Sequence, residues 1–311
     1  MPTPLAIETI DLTKTYGDRA ALDRLSVGVA RGSRTIVLGP NGAGKSTLLE
    51  LVATIRTPTS GRVRIEGHDT LEDVREARRT IGLTPQSNAL DPCATPTEIL
   101  DFQALALGMG RRTARLRTRE LIALFGLGDH SKKRITHLSG GTRRKVDLAI
   151  ALVGEPSVII LDEPTTGLDP LARLDFWNEL TRLNSNDPNR TLLISTQDLH
   201  EAEVLATDIV VLGDGELVAQ GTPDALKQRI GDRTLTLALT DPAAAHQLVT
   251  RSRAGFRTES RSGTLVRLAL PQDSDVLETA LHDIGAMAGA IEEIRLSEPS
   301  LDDVFVALAS H

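Results

Sequence analysis

The 311-residue sequence predicts an α/β fold, a mixed sheet core with a helical subdomain, followed by a small C-terminal α+β domain. Three observations carry this reading. The runs 35–38, 158–161, 191–195 and 209–212 are almost wholly apolar or β-branched, as strands of a parallel sheet buried on both faces must be. The first run leads into Gly39-Pro40-Asn41-Gly42-Ala43-Gly44-Lys45-Ser46-Thr47, a glycine loop opening a helix. Beyond Gly231 the texture changes to alternating segments such as 234–240, Thr-Leu-Thr-Leu-Ala-Leu-Thr.

Taken in order, residues 6–12 alternate apolar and polar side chains like a half-exposed strand, and a second strand lies near 25–29. Strand 35–38, the glycine loop and a helix over 45–54 follow. From about Pro96 to Leu152 the pattern is helical. Leu100, Leu105 and Leu107, then Leu116, Leu121, Ile122, Leu124 and Phe125, mark two amphipathic helices before a loop at Ser139. Gly213-Asp214-Gly215 turns the chain between two strands, and Gly221-Thr222-Pro223-Asp224 caps a short helix. In the last 80 or so residues, strands are expected at 234–240, 264–270 and 290–296. Helices are expected near 243–249, 276–284 and 301–309. The expected domains are 1–230, with a helical subdomain at about 88–152, and 231–311.

Composition narrows the function. With 35 Lys+Arg against 42 Asp+Glu the net charge is −7, which argues against broad nucleic-acid binding. Arg111, Arg112, Arg115, Arg117 and Arg119 form a local basic cluster, read as a solvated helix face or as a contact for acidic lipid headgroups or a partner loop. One cysteine, Cys93, excludes an internal disulfide and suits a reducing compartment. No signal peptide is expected, and no stretch approaches the ~20 apolar residues of a membrane-spanning helix.

The chemistry lies in three segments. In the loop 39–47 the glycines let successive N–H groups face phosphate oxygens, and the helix that follows adds its positive end. Lys45 is placed to reach the β- and γ-phosphates and Ser46 to ligate Mg²⁺. Asp162, at the end of strand 158–162, is a hard oxygen ligand for Mg²⁺, directly or through water. Glu163 is the candidate to orient or deprotonate an attacking water. Leu138-Ser139-Gly140-Gly141 forms a second anion-binding loop at a helix start. One nucleotide cannot use both loops unless they face each other.

At this point the sequence resembles an ATP-binding-cassette (ABC) nucleotide-binding subunit over residues 5 to about 228, with Ser139-Gly140-Gly141 matching the family signature. The resemblance implies a head-to-tail dimer holding two ATP molecules, each site completed by the signature of the other copy. It implies that Tyr16 stacks on adenine and that Gln86 senses metal and water. It implies that Gly167-Leu168-Asp169 signals across the dimer interface.

Two positions depart from the usual pattern. Gln197 stands where a histidine contacts the γ-phosphate, and can donate a hydrogen bond but cannot become cationic. His200, three residues on, is not expected to take over. Thr142 stands where the signature commonly ends in glutamine. With Arg143-Arg144-Lys145, the run 195–203 and Ser300-Leu301-Asp302-Asp303-Val304-Phe305, these features resemble the daunorubicin-resistance-type branch of drug-export ATPases. That branch implies a working ATPase with a small C-terminal domain. It also implies a separate integral membrane permease and a place on the cytoplasmic side of the cell membrane. Leu301, Val304, Phe305 and Leu308 share a helical face, either a core stripe or a regulatory surface. The rival readings are a soluble ATP-driven switch on ribosomes or DNA, and a binding-only regulatory cassette.

Overall fold

The computed structural model describes residues 4–84, 90–230, 233–243, 257–270, 290–297 and 300–301. The chain divides into two compact units, Met1–Thr222 and Pro223–His311.

The first unit opens with a long antiparallel pair, β1 (Leu5–Tyr16) and β2 (Arg19–Ala30), joined at Gly17. These strands are longer than the alternating patches suggested, because cross-strand pairing carries the ladder through polar stretches that periodicity does not mark. β1 also pairs with β4 (Ser60–Ile65), which pairs with the short β5 (His68–Asp69), so the first sheet runs β2-β1-β4-β5. The second sheet contains β3 (Arg34–Leu38), β6 (Ile81–Thr84), β7 (Val158–Asp162), β8 (Thr191–Thr196), β9 (Asp208–Gly213) and β10 (Glu216–Gly221), in the order β10-β9-β3-β8-β7-β6. All its neighbours are parallel except β9 and β10, an antiparallel hairpin. Asp214 and Gly215 at the hairpin turn both have positive φ, 47° and 85°, as a turn matching the strand twist requires.

Between the two sheets lies α1 (Lys45–Val52). Its Leu48, Leu49, Leu51 and Val52 pack in one core with Ile7, Val63 and Ile65 of the first sheet and Val37, Val158 and Ile160 of the second. The other side chains of β7, Ile159 and Leu161, are equally buried, which is why the strand reads as an unbroken apolar run.

The helical subdomain occupies the crossover from β6 to β7. It contains α3 (Pro96–Ala106), α4 (Arg111–Leu124) and α5 (Gly140–Ala151). Thr95 and Glu98 close a reciprocal capping box at the start of α3. Of the arginine cluster, Arg117 is structural: its guanidinium donates to the Leu152 and Val153 carbonyls, tying α4 to the end of α5. Arg111, Arg112, Arg115 and Arg119 are exposed. The remaining helices of this unit are α2 (Val74–Arg79), α6 (Pro170–Asn186) and α7 (Leu199–Leu205). Asp169 caps α6 ahead of Pro170, a helix-start pair.

Asp147 on α5 is buried, 3.7 Å from Arg144, and burial pushes its carboxyl up from 3.8 to about 6 against the pull of Arg144 and Arg143. A carboxyl raised in the folded state binds more protons there than in the unfolded chain between those two values. Its ionisation therefore lowers stability as pH rises through that window, by on the order of 3 kcal/mol once complete. Asp147→Asn, neutral at every pH, is expected to melt several degrees above the wild type at pH 7.5 and to lose that advantage near pH 4. Thermal unfolding of both proteins at the two pH values checks this.

The second unit begins with α8 (Pro223–Ile230) and contains the antiparallel sheet β12-β13-β11-β14, formed by β11 (Arg233–Leu239), β12 (Arg257–Ser262), β13 (Leu265–Leu270) and β14 (Ile291–Ser297). The three strands expected in this region are present, with β12 in addition. The expected helices near 243–249, 276–284 and 301–309 lie almost entirely outside the described residues. So do Val304, Phe305 and Leu308; Leu301 is described and is buried.

Candidate active site

The site is built where β3 ends and α1 begins. Gly44, the residue before α1, has φ 101°, and a Cβ there would sit 2.6 Å from both the Ala21 carbonyl oxygen and the Leu22 side chain. Only glycine fits. A Cβ on Gly39 would meet the Leu212 carbonyl oxygen at 2.5 Å, so the loop is pressed against β9 as it leaves the sheet. The loop thereby presents a concave run of backbone N–H groups at a helix start, a shape suited to phosphate.

Lys45 is 4% exposed, and its ammonium donates to the Gly39 and Pro40 carbonyls at 2.7 and 3.0 Å. Burial lowers its pKa, while Glu163 and then Asp162 oppose that shift. β7, two strands away across β8, delivers both acids. The Ser46 hydroxyl donates to Asp162 Oδ1 at 3.3 Å, and Ser195 Oγ donates to the same oxygen at 2.5 Å. The Glu163 N–H points back to Ser195, to Oγ at 2.9 Å and to the carbonyl at 3.1 Å. Glu163 takes a left-handed backbone conformation, φ 45°, which turns the chain at the strand end; its Oε2 accepts from Thr166 Oγ1 at 3.3 Å. Ser195 is thus the hub that joins both acids to β8, and sequence reading had not singled it out.

A cleft of about 400 Å³ gathers Tyr16, Asn41, Gly42, Gly44, Lys45, Ser46, Thr47 and Glu163. Arg19 also lines it, its guanidinium 3.8 Å from the Cβ position of Gly42, and no sequence motif had marked it. The signal was available: one arginine three residues after the only tyrosine, across a tight turn that returns it toward the loop. Tyr16 is flanked by Lys14 and Arg56, each 5.4 Å from its ring centroid. Ser46 lines the cleft, and Asp162 lies within hydrogen-bond reach of it, so two oxygen ligands come together here. Together with phosphate oxygens they suit Mg²⁺, which uses one or two carboxylates and takes its other ligands from substrate and water. No group of three or more acidic, histidine or cysteine ligands occurs among the described residues, so such an ion would depend on the nucleotide.

The second glycine loop is elsewhere. Ser139 caps α5, its Oγ accepting from the Thr142 N–H at 3.2 Å and sharing a 2.8 Å hydrogen bond with Thr142 Oγ1. Thr142 therefore helps brace the loop. Gly140 and Gly141 lie against Leu168 and Ala172, and none of the three lines the cleft. Gln197 follows β8 and is exposed; His200 lies on α7, its ring edge-on to Trp177 at 5.5 Å. Gln86 lies outside the described residues. Glu201, buried on α7, accepts from Thr165 Oγ1 at 2.9 Å and Trp177 Nε1 at 2.8 Å, holding the segment after Glu163. Burial raises its pKa.

A glycine loop opening a helix, with an acidic pair on a nearby strand end, defines a P-loop nucleotide-binding protein. The comparisons sharpen this. A profile of the ABC transporter family matches residues 22–166. The daunorubicin resistance ATP-binding protein DrrA3 of Streptomyces coeruleorubidus is 37% identical over 97% of this chain and 95% of its own length. The daunorubicin/doxorubicin resistance ATP-binding protein DrrA of Streptomyces peucetius is 37% identical over 98% and 93%. A dimeric ATP-binding cassette solved with ADP and Pi superimposes with a TM-score of 0.63 at 29% identity, covering 70% of this chain and 98% of that one. The chain belongs to the ABC transporter family and is an ATP-binding, ATP-hydrolysing subunit of the cassette type. No helix among the described residues is long and apolar enough to cross a membrane.

Proposed function

We propose that this chain powers an exporter of drug or antibiotic molecules, docked on the cytoplasmic face of a separate membrane permease and working as a head-to-tail pair. The observation that carries this is the split site: loop, lysine and Glu163 share one cleft, with Asp162 hydrogen-bonded to Ser46 beside it, while Ser139-Gly140-Gly141 lies outside it with Ser139 and Gly140 exposed. A second copy supplies what the first lacks. The nucleotide-binding domain is read as residues 1–230, with the helical subdomain at about 88–152, and the accessory domain as 231–311, although α8 (Pro223–Ile230) groups with the second compact unit. Drug export is supported by relatives named for resistance to daunorubicin and doxorubicin that match over nearly the whole chain.

In this reading Tyr16 stacks on adenine while the backbone of 39–47 and Lys45 hold the phosphates. Ser139 with the N–H groups of Gly140 and Gly141 closes on them from the partner copy. Ser46, Asp162 and Gln86 hold Mg²⁺, which neutralises phosphate charge when bound. Glu163 orients the attacking water and takes its proton, and Gln197 donates a neutral hydrogen bond to the terminal phosphate. Closure is passed to the permease through the cleft beside residues 87–104.

Cross-linking tests the arrangement. In a Cys93→Ser background, which removes the exposed native thiol, Asn41→Cys chains are mixed with Ser139→Cys chains. Oxidation with Mg-ATP present is expected to yield the mixed disulfide dimer, and to yield far less without nucleotide. Efficient Ser139→Cys self-dimers, or no ATP dependence, would count against the head-to-tail pair.

A further inference from the structure

Two cations line the nucleotide cleft, Lys45 and Arg19. Lys45 is buried within the glycine loop, whereas Arg19 is exposed and approaches that loop from the β1–β2 turn. We propose that Arg19 is a nucleotide-binding residue whose guanidinium holds the inner phosphates of ATP and ADP. The inference rests on the reading of this cleft as the ATP site, with adenine at Tyr16 and phosphates at 39–47.

Backbone register puts the arginine in place. Arg19, the first residue of β2, pairs with Tyr16, the last of β1, across a turn in which Gly17 has φ 58°. Residues directly opposite each other in an antiparallel pair send their side chains to the same face. The guanidinium therefore leaves the sheet on the side of the Tyr16 ring, and one of its nitrogens lies 3.8 Å from the Cβ position of Gly42. Ser46, Asp162 and Glu163 gather at the end where the terminal phosphate is expected. Arg19 belongs to the adenine end, so the phosphates nearest the base are its targets.

The other cations of this region are already engaged. Lys14 Nζ donates to the Thr57 carbonyl at 2.8 Å, and Arg56 is ion-paired with Glu50. The Lys45 ammonium donates to the Gly39 and Pro40 carbonyls. Arg19 makes no salt bridge or side-chain hydrogen bond among the described residues. Its five N–H donors are thus available in a planar fork, a geometry that fits two phosphate oxygens at once.

Equilibrium binding to the full chain tests the assignment. Arg19→Ala and Arg19→Lys are titrated with fluorescent mant-ATP and mant-ADP, and adenosine affinity is measured by displacement of mant-ATP. Arg19→Ala is expected to weaken both nucleotides by about tenfold and to leave adenosine within about twofold of wild type. Arg19→Lys should recover part of the loss, because the charge remains while the fork is gone. Added KCl should weaken ATP binding more steeply in the wild type than in Arg19→Ala, since exposed charge is screened by salt. The proposal is overturned by ATP and ADP affinities within twofold of wild type in Arg19→Ala. It is equally overturned by a matching loss for adenosine, by a loss confined to ATP, by no recovery in Arg19→Lys, or by an unchanged salt dependence. Lys45→Ala separates the two levels of the reading: if it loses ATP while Arg19→Ala does not, the ATP site stands and this inference alone falls.

Discussion

Replacing Glu163 with glutamine is expected to lower ATP turnover by about 10²–10⁴-fold while leaving ATP bound. The substitution is nearly isosteric, and the anchor of this residue is its backbone N–H on Ser195, which glutamine keeps. What disappears is a carboxylate able to accept a proton, 7% exposed at the mouth of the phosphate loop. Phosphoryl transfer needs little covalent help from the protein, so loss of the group that positions water falls on the chemical step. Single-turnover phosphate release measures the rate. Light scattering with Mg-ATP should show the variant accumulating as a dimer that no longer reopens. A variant turning over within twofold of wild type would remove Glu163 from the mechanism.

Lys45→Ala should act one step earlier, on binding. A charge-assisted hydrogen bond is worth about 1.5–3 kcal/mol, so loss of the ammonium weakens ATP by roughly tenfold to 100-fold. Lys45 has a second part to play, because its ammonium braces the Gly39 and Pro40 carbonyls from inside the loop. Alanine therefore removes both the charge and the brace, and Lys45→Met restores volume without charge. If the ammonium's charge and hydrogen bonds dominate, the two variants bind fluorescent ATP equally poorly; if side-chain volume dominates, methionine recovers much of the affinity. Affinity within twofold of wild type in both would exclude the lysine from the phosphate site.

The phosphate loop, the strand ending at Asp162 and the signature at Ser139 were legible because each is local. A glycine loop between strand and helix is specified by a few consecutive residues, and an apolar run ending in two acids places them at a sheet end wherever that strand sits. Ser195, Arg19 and Glu201 were not legible in this way. Ser195 reaches Asp162 only because β8 lies between β7 and β3, an adjacency of strands 33 residues apart in the chain. Arg19 reaches Gly42 through the β1–β2 turn, and Glu201 meets Thr165 from a helix 36 residues away.

Asp147 marks the boundary most clearly. In the sequence it is one polar residue in a run of helix formers, with no spacing that distinguishes it from a solvated neighbour. Folding buries it on α5 beside an apolar cleft, short of hydrogen-bond donors. Local order along the chain was enough to specify a nucleotide loop, its acidic pair and a second glycine loop, since backbone geometry and residue type act over a few residues. The hub at Ser195, the exposed separation of Ser139 from the cleft and the buried charge of Asp147 came from packing, because distance and desolvation are properties of neighbours in space, and the chain order does not contain them.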